Sequence, residues 1–137
     1  MFAMNIRKST TGDLNHLTAI AEDVNPETIK NAIVQGRCWV FKDGDAPTGF
    51  AIIQPDFLGQ PCVSFVYVDS EHRRKGIASR LVKHLEMAGG SDRLFASSPQ
   101  SNAAMQGMFQ KLGYEQCGSV HGIHTDDPEL IFMRHIA

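Results

Sequence analysis

The sequence predicts an α/β domain of the α+β kind, with a mixed and mostly antiparallel sheet of about seven strands flanked by about four helices. Short segments rich in β-branched and aromatic residues alternate with segments whose apolar residues recur every three or four positions. The resulting order, β-α-α-β-β-β-α-β-α-β-β, is typical of a mixed sheet with helices packed on it. The 137 residues contain no repeat or linker, so we expect one domain over residues 1–137.

The first part of the chain is predicted to form a short strand at 5–8 and then two helices. Thr10 and Asp13 have the three-residue spacing of a capping box, and a helical pattern of apolar residues follows them. Residues 25–27, Asn-Pro-Glu, place a cap, a first-turn proline and an early acid in the preferred order for a second helix. Gly36 is expected to end this helix.

A β-hairpin is expected next, with strands at 37–42 and 48–54. Asp-Gly-Asp at 43–45 supplies the residue types of a tight turn between them. Residues 55–61 begin and end with proline, and we expect a loop there that leads into the central strand.

The C-terminal part is predicted to contain three strands and one helix. A fifth strand is expected at 93–97, and Ser101 is expected to cap a helix that Gly113 ends. Two final strands, at about 114–123 and 129–136, complete the order.

The central stretch carries the clearest functional pattern. A buried strand at 63–68 precedes a basic turn at 73–75, and Gly76 then opens a helix that runs to Met87. A helix start has unpaired backbone N–H groups and a partial positive charge, which suits an anion. Glycine allows close approach of a ligand, and the three basic side chains add positive charge. We therefore predict a phosphate-binding turn.

The same residues resemble a known family. Arg-Arg-Lys-Gly-Ile-Ala at 73–78 matches the Arg/Gln-x-x-Gly-x-Gly/Ala signature of the GNAT superfamily of N-acetyltransferases. Asn102, followed by a helix that closes with Leu-Gly-Tyr at 112–114, resembles the Asn…Gly-Phe/Tyr segment of that family. The order and spacing of these segments agree over about half of the chain.

The resemblance implies acetyl-CoA as a cosubstrate, with its pyrophosphate on the basic turn and its pantetheine arm along the central strand. It also implies one catalytic group, the backbone N–H of Val68, which would polarise the thioester carbonyl as an oxyanion hole does. The helix pair at the start of the chain would lie near the acceptor site. The coenzyme contacts that the resemblance implies are Val66, Tyr67, Val68, Arg73, Arg74, Lys75, Gly76, Ile77, Ala78, Ser79 and Asn102.

The sequence departs from the family at two catalytic positions. Many members place a tyrosine that protonates the leaving thiolate where this chain has Phe109. Some place a glutamate base where this chain has Cys62. The general base and the general acid are therefore unassigned, and no motif supports Glu129, Asp126 or His121 in the role of base.

Two functions remain open at this point. The first is an acetyl-CoA-dependent N-acetyltransferase that transfers the acetyl group directly to a primary amine in a ternary complex. The second is an acyl-CoA-binding sensor or partner module of the same fold without turnover. The acceptor is a small-molecule amine or a protein N-terminus, with a slight preference for a cationic small molecule because the net charge is −2.

Composition argues against several other classes. A net charge of −2 argues against a general nucleic-acid binder, and no apolar run reaches membrane-spanning length. There is no P-loop and no G-x-G-x-x-G after a strand. No metal is predicted, because His121 and His124 would face opposite sides of a strand. Three widely spaced cysteines favour reduced thiols and a cytoplasmic location. The oligomeric state is open, and a homodimer is the alternative that analogy with such families suggests.

Overall fold

The computed structural model describes residues 5–136, which form a seven-stranded mixed sheet and four α-helices. The sheet order is β1-β2-β3-β4-β5-β7-β6; β4 and β5 pair in parallel, while β1–β2, β2–β3, β5–β7 and β6–β7 pair antiparallel. This architecture confirms the predicted fold class. The elements are β1 (Ile6–Lys8), α1 (Leu14–Ile20), α2 (Pro26–Val34), β2 (Cys38–Lys42), β3 (Pro47–Phe57), β4 (Gln60–Val68), α3 (Ile77–Ala88), β5 (Arg93–Pro99), α4 (Ala103–Lys111), β6 (Glu115–Val120) and β7 (Glu129–His135).

The chain divides into two compact units. The first comprises the residues up to Ile53 together with Phe65–Leu85, and the second comprises Gln54–Ser64 and the residues from Glu86 onward. The divisions fall inside β3, β4 and α3, so each of these elements contributes to both units. None of the helices within residues 5–136 combines the length and apolar character needed to cross a membrane.

The core of the first unit packs α1 and α2 against one face of its strands. Leu17 and Ile29 from the helices are fully buried with Phe50 from β3, and the Phe50 ring stacks on Tyr67 with 5.7 Å between ring centroids. Gly49 points to the opposite face because side chains alternate along a strand. A Cβ there would lie 3.0 Å from Ile77 Cγ2, so the start of α3 approaches this face closely.

The helix-start signals in the first unit act as predicted. The Asn25 carboxamide oxygen accepts a 2.9 Å hydrogen bond from the Glu27 N–H, which caps α2. The Thr10 N–H donates a 2.8 Å hydrogen bond to the Asp13 carboxylate, although the residues just after Thr10 form a 3-10 turn before α1 begins.

The prediction of a loop at 55–61 is wrong. β3 continues to Phe57 and β4 begins at Gln60, so only Leu58 and Gly59 form the turn between them. Both turn residues have positive φ, 51° and 85°, as a two-residue hairpin with primed geometry requires. The two prolines of the segment lie within strands, where proline is tolerated if no ladder hydrogen bond needs its missing N–H.

The second unit has an aromatic core. The Phe109 ring of α4 is 1% exposed and lies 5.5 Å from the rings of Tyr114 and Phe132. The Tyr114 hydroxyl donates a 2.7 Å hydrogen bond to Glu86, and Arg134 donates to the other oxygen of the same carboxylate at 2.8 Å. Burial and the bond to Glu86 raise the pKa of Tyr114, so this phenol stays protonated and packs.

The predicted cap of α4 is also corrected. Asn102, rather than Ser101, is the cap, because its carboxamide oxygen accepts a 3.1 Å hydrogen bond from the Met105 N–H. Ser101 instead donates its hydroxyl and its N–H to the Asp127 carboxylate, at 2.6 and 3.0 Å. The residue just before the helix is therefore tied to the connection between β6 and β7.

Candidate functional site

The basic turn follows directly from the end of β4. The chain leaves β4 at Val68 and forms a short 3-10 turn at Ser70–His72. The His72 ring nitrogen Nδ1 lies 3.0 Å from an Asp69 carboxylate oxygen, and the Asp69 N–H donates a 2.8 Å hydrogen bond to the Thr48 carbonyl. These contacts fix the start of the turn to the strand pair.

Two residues of the turn adopt left-handed backbone conformations. Arg74 has a φ of 65° and Gly76 a φ of 78°. Left-handed geometry is costly for a residue with a Cβ, so the value at Arg74 is unusual. A Cβ at Gly76 would meet nothing within 4 Å, which leaves its backbone open to an approaching group. The turn thus presents an accessible backbone immediately before α3.

The turn and the helix start carry positive charge. The side chains of Arg73, Arg74 and Lys75 are exposed. The Gly76 carbonyl accepts a 3.1 Å hydrogen bond from the Arg80 N–H, so the helical hydrogen-bond pattern begins there. The N–H groups of the first turn of α3 consequently lack partners inside the helix. This arrangement can bind an anion with a large negative charge, such as a pyrophosphate.

A hydrogen bond joins the turn to the end of β4. Arg73 Nε donates to the Val68 carbonyl at 3.2 Å. Val66 is buried, whereas Tyr67 and Val68 are half-buried. Within the first unit the structure therefore brings together the two predicted segments, the strand end at 66–68 and the turn at 73–79.

A cavity of about 500 Å³ adjoins this strand end. Its wall includes the apolar residues Ala19 and Ile20 at the end of α1. We call it the acidic cavity, because three carboxylates line it against one guanidinium. These charged residues are Glu22, Asp23, Asp69 and Arg73.

Tyr67 connects the acidic cavity with the strand. Its hydroxyl donates a 3.1 Å hydrogen bond to Asp23. Burial, followed by the hydrogen bond to Asp23, raises the pKa of Tyr67 to about 12. The sequence predicted only a backbone role for Tyr67 and missed Asp23, because exposed acids between two helices match no motif.

Cys62, which the resemblance aligns with a glutamate base, does not provide a base. β4 pairs with β5 at Cys62↔Phe95 and Val63↔Ala96. Burial, with a smaller contribution from the nearby charge of Glu129, raises the pKa of the Cys62 thiol to about 12. At neutral pH it is an inert, protonated core residue.

The remaining predicted residue, Asn102, belongs to the second unit. It is exposed, and its carboxamide oxygen accepts the capping bond, while its amide nitrogen can donate to a ligand.

The histidines considered for a metal lie at His121 and His124, in the connection after β6 rather than on a strand. His124 Nε2 lies 3.5 Å from a Glu129 carboxylate oxygen. Within residues 5–136, no three His, Cys, Asp or Glu side chains gather as metal ligands do.

Comparisons with known proteins agree with this fold. A family model described as an acetyltransferase (GNAT) domain matches residues 34–116, which include β2 to α4 and the basic turn. The search of curated proteins gave no match.

The fold is similar to several solved structures. A GNAT-family acetyltransferase from Bacillus cereus is 28% identical with a TM-score of 0.87, and the alignment covers 97% of each chain. The ribosomal-protein-S18-alanine N-acetyltransferase of Escherichia coli is 22% identical over 96% of this chain and 93% of that chain, with a TM-score of 0.81. The Salmonella typhimurium protein yncA, solved with its cofactor acetyl-CoA, is 17% identical over 96% and 93% of the two chains, with a TM-score of 0.79.

The raised tyrosine pKa values predict how stability depends on pH. An ordinary phenol has a pKa of about 10, and Tyr67 in the folded protein has one of about 12. Above pH 10 the unfolded chain ionises first, so the stabilising effect of the neutral phenol is complete below pH 10 and is lost as the pH rises to 12. We expect denaturant midpoints to fall across this interval.

Single substitutions test whether the raised tyrosine pKa values cause this loss of stability. Tyr67→Phe and Tyr114→Phe should each make the fall in midpoint shallower, since each removes one of the two tyrosines. Phenolate absorbance of the folded protein provides the direct measurement. Ionisation of both tyrosines near pH 10, before unfolding, would contradict the burial and hydrogen bonds described here.

Proposed function

The chain belongs to the GNAT family of acetyltransferases, which makes it an acyltransferase, and we propose that it transfers an acetyl group from acetyl-CoA directly to a primary amine in a ternary complex. The observation that carries this proposal is the turn before α3. An open left-handed glycine, three cationic side chains and a free helix start lie one after another at the end of β4.

The residues of the turn fit the phosphate end of acetyl-CoA. A Cβ at Gly76 would meet nothing, so the backbone leaves room for a phosphate. Arg73, Arg74 and Lys75 provide cations of the type that pairs with phosphate oxygens. When bound, acetyl-CoA supplies the activated thioester from which the acetyl group leaves.

The proposal assigns two tasks to the chain's own backbone. The N–H groups at the start of α3 hold the pyrophosphate, and the N–H of Val68 donates to the thioester carbonyl as negative charge develops on its oxygen. During transfer the amine nitrogen forms a bond to the acetyl carbon, the carbon–sulfur bond breaks, and the amine loses a proton to solvent. The coenzyme contacts of the proposal are Val66, Tyr67, Val68, Arg73, Arg74, Lys75, Gly76, Ile77, Ala78, Ser79 and, in the second unit, Asn102.

The proton donor for the leaving thiolate is not Tyr114 or Cys62. Tyr114 is hydrogen-bonded to Glu86 in the core of the second unit, and Cys62 is buried beside β5. Phe109 has no ionisable group. We therefore propose that the thiolate departs with protonation by solvent and with stabilisation from backbone dipoles.

Other parts of the proposal extend the sequence predictions. We propose one GNAT domain over residues 1–137 and a cytoplasmic location, which three free thiols support. A homodimer stays a prediction. The acceptor is a small amine or a protein N-terminus, and the Escherichia coli protein of similar fold that is named as a ribosomal-protein-S18-alanine N-acetyltransferase supports the second alternative.

The experiment that tests the function combines binding with turnover. Acetyl-CoA should raise the melting temperature, because it binds only the folded state, and free coenzyme A should compete. Mass spectrometry of an amine panel incubated with acetyl-CoA should then detect an acetylated product. Binding without any product would favour the sensor module, and absence of binding at millimolar acetyl-CoA would overturn the assignment.

Gly76→Asp should weaken acetyl-CoA binding more than about tenfold, a change of roughly 1.4 kcal/mol. The substitution places a side chain and a negative charge where the phosphate approaches. It should also destabilise the fold by about 1–2 kcal/mol, since the left-handed conformation disfavours a Cβ. Titration calorimetry measures the affinity, and circular dichroism reports the fold.

Gly90→Asp is the matched control for this variant. Gly90 has a φ of 66° and, like Gly76, an open position for a Cβ, but it lies just after α3 rather than before it. The Gly90→Asp variant should be less stable than the wild type and should bind acetyl-CoA with unchanged affinity. If Gly76→Asp binds within about threefold of wild type, a difference below ~1 kcal/mol, the phosphate site is elsewhere.

Phe109→Tyr should not raise the acetylation rate. The ring is packed between Tyr114 and Phe132, so the added hydroxyl would be buried without a partner, at a cost of about 1–3 kcal/mol. Steady-state rates and melting temperatures of both proteins test this expectation. Phe57→Tyr, on a half-buried ring of the same unit, is the control and should cost less than about 0.5 kcal/mol. A hundredfold gain in the rate of Phe109→Tyr with unchanged stability would contradict the prediction.

A further inference from the structure

The acidic cavity lies next to the position where the proposed reaction takes place. Tyr67 lines the cavity and directly precedes Val68, whose N–H has the polarising role in the proposed function. Arg73 also lines the cavity, and its Nε bonds the Val68 carbonyl. A molecule in the cavity is therefore beside the strand end to which the acetyl group is brought.

The cavity has the size and lining of a small-molecule site. Its volume of about 500 Å³ lies in the usual range for such pockets. Ala19 and Ile20 provide an apolar wall, and Tyr67 adds an aromatic ring that is held in place by stacking on Phe50. A short hydrocarbon chain can pack against these groups.

The charge of the cavity is not neutralised by the protein. Asp69 has the His72 ring as a neighbour, but Asp23 accepts only the uncharged Tyr67 hydroxyl. Glu22 is exposed and has no ion-pair partner among residues 5–136. The carboxylates outnumber Arg73 three to one, so the cavity attracts cations.

An unpaired buried hydroxyl belongs to Thr48, a residue whose backbone is bonded to the cavity residue Asp69. Thr48 Oγ1 has no hydrogen-bond partner within residues 5–136, and Thr48 is only 6% exposed. Thr48 is the extra residue of β3 at a β-bulge, since Phe41 pairs with Gly49 and Lys42 pairs with Pro47. The Thr48 carbonyl bonds the N–H of Asp69, which lines the cavity. Buried polar groups normally have partners, and an exception of this kind often marks a ligand or an ordered water.

We propose, on the basis of the proposed function, that the acceptor is a small linear amine with a second ammonium group. The reacting nitrogen lies beside Val68, and the hydrocarbon chain packs on Tyr67 and Ile20. The distal ammonium is held by Asp23 and Glu22. A monoamine of the same length lacks this ion pair, and an amino acid of the same length places a carboxylate against the two acids.

A matched set of three acceptors tests the charge requirement. Diaminobutane, butylamine and aminobutyrate have chains of equal length that end in a cation, a methyl group and an anion. The rate of coenzyme A release should give kcat/KM values in that order. The expected ratio between diaminobutane and butylamine is about fivefold, the upper end for an exposed ion pair. Equal values for diaminobutane and butylamine would overturn the proposal.

Two variants that each remove one negative charge test which residues bind the distal ammonium group. In Asp23→Asn an oxygen remains to accept the Tyr67 hydroxyl bond while the charge is lost. Asp23→Asn and Glu22→Gln should each raise KM for diaminobutane by roughly threefold to fivefold more than they raise KM for butylamine. Asp45→Asn, in the exposed turn before β3, is the control and should change neither value.

A binding measurement separates this proposal from the proposed function. Titration calorimetry of diaminobutane into the coenzyme-free protein should show binding that Asp23→Asn weakens and Asp45→Asn does not. Absence of acetyl-CoA binding, or of turnover with every amine, would overturn the proposed function and this inference together. Normal turnover with at least tenfold preference for an alanine-terminated peptide over diaminobutane would leave the function intact and overturn only the diamine acceptor.

Discussion

The turn between β4 and α3 is the constraint on which the proposed site depends. Ile77 is buried against the face that Gly49 leaves open, so α3 must start close to the strands. The chain reaches that point from β4 through left-handed backbone at Arg74 and Gly76. The same conformation exposes the backbone ahead of the helix, where N–H groups have no helical partners. The packing of α3 and the capacity to bind an anion are therefore consequences of one backbone path.

The sequence predicted the order of strand, turn and helix in this segment because its signals are local. A β-branched strand, a glycine and an amphipathic helix follow one another, and each is set by neighbouring residues. The loop expected at 55–61 was wrong because proline was taken to end a strand, whereas Leu58 and Gly59 alone make the turn. Ser101 and Asn102 both have capping side chains, and the long-range bond from Ser101 to Asp127 decides which one caps α4. The acidic cavity depends on tertiary packing and has no sequence motif.

The proposed chemistry relies on the backbone because side chains that could move protons are used in packing. Tyr114 donates to Glu86 in the second unit, Cys62 is buried beside β5, and Phe109 completes an aromatic cluster. Tyr67 keeps its proton at neutral pH, since its pKa is about 12. A neutral phenol can donate a hydrogen bond but cannot accept the amine proton. Solvent at the open strand end is therefore assigned the proton transfers in the proposed function.

Arg73 links the two binding regions of the first unit. Its Nε bonds the Val68 carbonyl, and the rest of the guanidinium contributes the single positive charge among the residues that line the acidic cavity. Arg73 also begins the basic turn, so a phosphate held there would offset its charge. The carboxylates of the cavity would then attract a cation more strongly than they do in the coenzyme-free protein. In the proposed function, the phosphate site and the acceptor cavity are thus coupled through electrostatics, without any change in backbone conformation.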